Sequence, residues 1–195
     1  MQTRAHGVPS ISYPPEAAPS HRPIPLLDLT SPISRHCEDR LDIATRTLQS
    51  CSIDGTEPLT EGWRRAEIPA AGGVGNARSV ARIHSAVACG GSLDGVRLLS
   101  EAGVRRILEE QTNGEDRVLA MPIRFGMGFG LIGPEFPLSP SQRAFFWGGW
   151  GGSIAVIDLE ARMSVAYVMN RMAPDMLGDL RGGSVVLSVY KALGA

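Results

Sequence analysis

The segment Phe145-Phe146-Trp147-Gly148-Gly149-Trp150-Gly151-Gly152-Ser153-Ile154-Ala155-Val156-Ile157-Asp158 constrains the fold of this chain more than any other stretch. It begins and ends with β-formers, while its middle carries four glycines that side-chain packing alone would not select in a strand. Glycine there lets a backbone or a ligand approach closely. On the residues alone two readings stay open. One is a glycine-rich hairpin or bulge beside two core tryptophans, and the other is a wall kept clear for a ligand.

The chain around it divides by composition and period. Residues 1–34 hold Pro9, Pro14, Pro15, Pro19, Pro23, Pro25 and Pro32 with little apolar periodicity, so they read as a disordered arm. Residues 35–195 read as one folded unit. Leu41, Ala44 and Leu48 at helical spacing predict an amphipathic helix over 35–51, broken by Asp54-Gly55-Thr56-Glu57-Pro58. Asn76 is placed to cap a helix with Val80, Ile83, Val87 and Ala88 on one face, ended by Gly90-Gly91. His84 falls near that stripe and reads as a hydrogen-bonded structural group. Ser100 is placed to cap the next helix, with Val104, Ile107 and Leu108 inward and Arg105, Arg106, Glu109 and Glu110 in water.

The second half changes to strands. Arg124 to Ile132 alternates with glycine, and Gly152–Leu159 and Ser164–Met169 form a hairpin across Glu160-Ala161-Arg162. Pro174 to Gly183 reads as a turn or helix start. A last helix over Ser184–Leu193 turns Val185, Val186, Val189 and Leu193 inward. Helices on an antiparallel sheet make an α+β fold. A three-stranded sheet of this kind would leave an open edge and an uncovered apolar face, to be covered by the arm and the helix near Leu41 or by another chain.

From about Trp63 onward the chain resembles the C-terminal part of the serine β-lactamase-related family. That family includes class C β-lactamases, family VIII carboxylesterases, D-Ala-D-Ala peptidases and transesterases. The resemblance rests on Ala66 to Gly73, Asn76 to Arg82, Gly90-Gly91, Leu98-Leu99-Ser100, Phe125 to Gly130, the tryptophan-glycine segment and Tyr167 to Met172, in that order. Where family members carry Lys-Thr-Gly, His-x-Gly or Trp-Gly-Gly, this chain has Trp147-Gly148-Gly149. The resemblance implies that Trp147, Gly148 and Gly149 form a substrate wall. It also implies that the backbone N–H of Trp150 is one of two oxyanion-hole donors. A tryptophan in place of lysine offers an apolar face and one N–H, which favours neutral esters over penicillins. Phe125, Met127 and Phe129 line an acyl pocket or pack in the core.

The family's nucleophile lies in Ser-x-x-Lys, upstream of that wall, with a tyrosine assisting. This chain has a single lysine, Lys191, so its one match is Ser188-Val189-Tyr190-Lys191, four residues from the last alanine. Ser188 therefore reads as an ordinary helix residue. Tyr13, the tyrosine upstream of the wall, is followed by Pro14-Pro15 and matches no motif. The nucleophile, its lysine and the tyrosine are thus expected outside this chain.

The expected function is that of a serine esterase or transesterase homologue acting on carboxylic esters or acyl groups, with acyl-transfer tailoring of secondary metabolites as a role known among relatives. The alternatives are a non-catalytic truncated relative, a subunit that completes an active site with a partner chain or a homo-oligomer, and a small-molecule binding module. The net charge of −1 gives no basic stripe for nucleic acid, and no apolar run reaches the ~18 residues of a membrane span. Met1 to Gly7 lack a secretory apolar region, which makes a cytoplasmic location the expectation. Cys37, Cys51 and Cys89 read as free thiols, and neither a metal-ligand cluster nor a nucleotide loop is present, so no metal or cofactor is expected.

Overall fold

The structure, a computed structural model, describes residues 41–50 and 55–194. The proline-rich arm, Tyr13, Cys37 and Cys51 lie outside the described residues. The α-helices among the described residues are α1 (Leu41–Gln49), α2 (Glu61–Arg65), α3 (Ala77–Ala88), α4 (Glu101–Arg106) and α5 (Leu180–Leu193), with one 3-10 turn at Glu57–Leu59. Eight strands are β1 (Ser92–Leu93), β2 (Val96–Arg97), β3 (Thr112–Glu115), β4 (Pro122–Phe125), β5 (Gly130–Leu131), β6 (Ala144–Gly148), β7 (Ile154–Asp158) and β8 (Met163–Tyr167). β1 and β2 pair as a small hairpin, and β3 to β8 form one antiparallel sheet in sequence order.

This α+β arrangement corrects the three-stranded sheet, which has six strands. β3 escaped the sequence reading because all four of its positions, Thr-Asn-Gly-Glu, are exposed. The single strand expected over Arg124 to Ile132 divides into β4 and the two-residue β5 around a turn that Gly126 N–H closes onto Phe129 O. The sheet is also not bare on one face. α3 and α4 cover one side through Val87, Ala88, Val104 and Ile107, which meet Leu131, Phe145, Ala155 and Ile157. On the other side, Val186 and Tyr190 of α5 meet Phe146, Ile154, Val156 and Val165. β7 is buried at all five positions: it is flanked by β6 and β8 within the sheet, and both α3 and α5 contact it across the two faces. Its Ile154, Val156 and Ile157 each bring on the order of 1.5–3 kcal/mol of burial.

The predicted caps form. Asn76 and Ser79 make a reciprocal capping box on α3, and the Ser100 side chain accepts from Gly103 N–H at 3.0 Å on α4. Gly90 and Gly91 close α3 with positive φ, their N–H groups donating to Val87 and Ala86 carbonyls. Asp158 Oδ1 holds the β7–β8 hairpin by accepting from Glu160 and Ala161 N–H.

Several facing assignments are corrected. Ile83 of α3 is exposed, because Ala86 rather than Ile83 shares the buried face with Val87 and Ala88. α5 starts at Leu180, four residues before the predicted Ser184, because Asp179 caps it with its side chain. Within α5, Val185 and Leu193 point outward, and Gly182, Val186 and Tyr190 are the buried positions.

Candidate active site

β6 delivers Trp147 and Gly148 to the rim of the sheet, and the chain then turns through Gly149–Ser153 before re-entering as β7. The turn is closed internally by Gly149 N–H donating to Ser153 O at 2.8 Å and Gly152 N–H to Gly149 O at 3.1 Å. It is tied outward by Gly151 N–H donating to Asp175 O, while Gly151 O accepts from Ala173 N–H, both at 2.9 Å. Among the described residues, none accepts from the N–H of Trp150. Of the four consecutive amides from Gly149 to Gly152 it is the one left open, on a half-buried residue. A half-buried donor without a partner is unusual in a folded chain.

Three of the glycines have a packing reason: at Gly151, with φ of +96°, a Cβ would meet Met169 Cε at 2.6 Å. A Cβ on Gly148 would sit 2.6 Å from the backbone of Leu177 and Gly178, where the segment before α5 crosses the strand end. Gly152 has φ of +114°, and a Cβ there would meet Asp179 Oδ2 at 2.0 Å. The approaching group is thus the protein itself at Gly148, Gly151 and Gly152. At Gly149 a Cβ would meet the Ser153 hydroxyl alone.

The alternative of two core tryptophans does not hold. Trp147 is 37% exposed and Trp150 half-buried. The Trp147 indole is tilted against Phe125 at a centroid distance of 5.4 Å, so the two rings form a continuous aromatic surface. Met127, at the tip of the turn that Gly126 N–H closes onto Phe129 O, is 45% exposed. Phe129 instead packs against Phe145 at 4.8 Å and belongs to the core.

Asp179 and Arg181 lock this rim, and sequence reasoning missed both. Asp179 Oδ1 accepts from the N–H of Arg181 and Gly182, and its Oδ2 accepts from the Arg181 guanidinium. Arg181 also donates to Gly151 O at 3.0 Å and Arg171 O at 2.8 Å. The Arg181 side-chain hydrogen bond, helped by the two backbone N–H groups, holds the Asp179 carboxyl below the usual carboxylate value, and the same bond raises Arg181. The available signal was an Asp one residue before an apolar helix, which marks an N-cap.

The remaining candidates sit elsewhere. Ser188 is exposed on α5, and its hydroxyl donates to Ser184 O at 2.7 Å, an ordinary helix back-bond. Lys191 is exposed near the end of α5. His84 Nδ1 lies 2.8 Å from Val80 O, with its ring edge-on to Phe129, as a structural histidine would. Among the described residues there is no group of three or more His, Cys, Asp or Glu fit for a metal, and no helix is long and apolar enough to cross a membrane.

A family model described as Beta-lactamase matches residues 9–188. The chain belongs to the β-lactamase family. Among curated proteins it is 35% identical over 133 residues to the esterase/β-lactamase LipL of Mycobacterium tuberculosis, a match covering 67% of this chain and 29% of that protein. Among solved structures it is similar to a family VIII carboxylesterase, with TM-score 0.63 and 36% identity, and to a penicillin-binding protein homologue from Caulobacter crescentus, with TM-score 0.64 and 39% identity. Each of those matches covers 68% of this chain and 36% of the other. EstA from Arthrobacter nitroguajacolicus Rue61a matches with TM-score 0.60 and 27% identity, over 92% of this chain and 45% of that one. The chain therefore spans less than half the length of these relatives.

Proposed function

We propose that this chain supplies the substrate wall and one oxyanion-hole donor of a β-lactamase-related serine esterase, while the nucleophile comes from residues outside these 195. The observation that carries the reading is the unpartnered N–H of Trp150 in a turn whose neighbouring amides are all taken, next to the exposed face of Trp147. Relatives described as a carboxylesterase and an esterase/β-lactamase support the substrate class.

In such a reaction a serine Oγ gives its proton to the base beside it and bonds to the ester carbonyl carbon. The carbonyl electron pair moves onto oxygen, and the base later passes that proton to the leaving alcohol. Trp150 N–H donates to that developing oxyanion, and the Arg181 tie through Gly151 O keeps the turn from moving as the charge forms. Collapse breaks the bond to the alcohol, which leaves with a proton. Water then attacks the acyl-serine in the same geometry and releases the carboxylic acid. Trp147 and Phe125 present apolar surface to the ester, and the Arg181 guanidinium at this rim is already engaged by Asp179 and the carbonyls of Gly151 and Arg171. One oxyanion donor is worth about 10²–10³ in kcat. A serine without an adjacent base is a weak nucleophile. The one Ser-x-x-Lys match ends in Lys191 and begins with a serine bonded to its own helix.

The test is fluorophosphonate labelling and p-nitrophenyl butyrate turnover by the purified chain, alone and mixed with a chain that carries Ser-x-x-Lys and the assisting tyrosine. The expected result is no labelling alone and labelling of the added serine in the mixture. Labelling of the chain alone that disappears in Ser188→Ala overturns the reading.

A further inference from the structure

At the end of the sheet opposite the tryptophan-glycine turn lies a concavity of about 260 Å³ that the esterase chemistry does not use. The five-residue β7 separates the two places by roughly 14 Å at the usual strand rise. Three of its lining residues are Arg105, Arg143 and Arg162, and a single lining acid, Glu101, accompanies them. Glu101 contacts Arg105 at 3.7 Å, while the side chains of Arg143 and Arg162 have no partner among the described residues. Glu160, next along the hairpin, accepts from the Ser141 hydroxyl. Ala88, Val104 and Leu159 supply an apolar floor.

We propose that this concavity binds a small organic phosphate. Three guanidinium groups against one carboxylate leave a net charge of +2, and like charges held around one hollow repel until an anion joins them. A phosphate monoester near neutral pH carries about −1.5 to −2 and three acceptor oxygens, which matches both the charge and the number of cations. Guanidinium is also the donor best shaped for it. The volume lies just under the ~300 Å³ at which pockets begin to take drug-sized ligands, so the molecule is small, with a short apolar part for the floor.

The frame is rigid. Leu159 N–H donates to Arg143 O at 3.1 Å, and the hairpin that carries Arg162 is held by Asp158 Oδ1. Gly90 and Gly91 N–H groups take up the Val87 and Ala86 carbonyls, which blunts the negative end of α3 facing the hollow. Arg162 itself has φ of +52°, a left-handed conformation that favours glycine and costs an arginine energy. Arginine at a turn position that glycine would fill more comfortably fits a side chain with a use.

That strain provides a clean test. The full chain is titrated with glycerol 3-phosphate, and with chloride and succinate at matched ionic strength, following backbone amide shifts at Gly90, Leu159 and Arg162. Alkylation of Cys89, which lines the same hollow, is followed in parallel by peptide mapping. The expected result is saturable binding with Kd of about 1 mM or tighter and slower alkylation of Cys89. Arg162→Gly leaves the fold at least as stable, yet it and Arg143→Ala each weaken binding about tenfold, while Arg64→Ala on α2 binds as the parent does. Shifts no different from those with chloride overturn the proposal, as does unchanged binding in Arg162→Gly and Arg143→Ala. Succinate binding as tightly as glycerol 3-phosphate overturns the assignment to phosphate.

Discussion

β7 leaves the sheet at one end through Asp158 and enters it at the other from the turn that carries Trp150. At the first end Asp158 is 1% exposed, and all its acceptor sites are used. Oδ1 accepts from Glu160 and Ala161 N–H, and Oδ2 from the Tyr190 hydroxyl at 2.8 Å and the Ser139 hydroxyl at 3.2 Å. At the second end Asp179 caps α5 in a similar way and adds Arg181, which grips the Gly151 carbonyl. There one donor, the Trp150 N–H, stays open in the midst of pinned backbone. A closed polar network specifies a fold, whereas an open donor held still is what a reacting carbonyl needs.

The largest effect is expected from opening the closed end. Asp158→Ala strands the buried Tyr190 and Ser139 hydroxyls and takes the acceptor from the Glu160 and Ala161 N–H groups of the hairpin, and a loss of about 4 kcal/mol in urea unfolding is expected. A loss below about 1 kcal/mol would remove the contrast between the two ends. Gly152→Ala attacks the other end, forcing a Cβ against Asp179 at positive φ. It should cost about 3 kcal/mol and raise hydrogen exchange at Gly151, with little change at Ala161.

Tyr190→Phe should cost about 1–2 kcal/mol, because it leaves one Asp158 oxygen with a single partner. The same pair sets the pH dependence. Burial pushes the Asp158 carboxyl up, but hydrogen bonds from Ala161 N–H, the Tyr190 hydroxyl, Glu160 N–H and Ser141 outweigh it and leave it below the usual value. A depressed acid contributes stability above its unfolded value, near 4, and loses it as pH falls through the folded value. Burial, with Asp158 adding to it and Ser139 opposing it, pushes the Tyr190 phenol up to about 12. Its contribution is full below the unfolded value near 10 and is lost as pH rises to about 12. Unfolding free energies across pH should therefore show a plateau with an acid and an alkaline shoulder. Asp158→Asn flattens the acid one and Tyr190→Phe the alkaline one. The smallest effect is expected at Ser188→Ala, within about 0.5 kcal/mol, since its hydroxyl bonds only the Ser184 carbonyl on the exposed face of its own helix.

Local signals were legible in the chain. The caps at Asn76 and Ser100, the hairpin at Glu160 to Arg162 and the buried run of β7 follow from neighbours a few residues apart. The contacts that define the two ends were not, because their partners are remote in sequence. Tyr190 reaches Asp158 across 32 residues and Arg181 reaches Gly151 across 30. Exposed β3 has no apolar period to betray it, and the sheet edge keeps it extended through pairing with β4. Ile83 and Val185 show the reverse failure, since apolar type alone does not say which flank of a helix meets the sheet. At the site, the tryptophan-glycine segment was conspicuous, but which of its amides stays open depends on the remote Asp175 carbonyl taking the Gly151 N–H and on the turn using the Gly149 and Gly152 N–H groups within itself.

The most direct measurement is residue-resolved amide hydrogen exchange across Gly149 to Gly152, with Glu160 and Ala161 as the reference at the closed end. The prediction is a fast Trp150 amide between slowly exchanging Gly149, Gly151 and Gly152, and slow exchange at both reference sites. A Trp150 amide as protected as its neighbours would mean that its N–H is already spoken for, and the assignment of this turn to an oxyanion would fall.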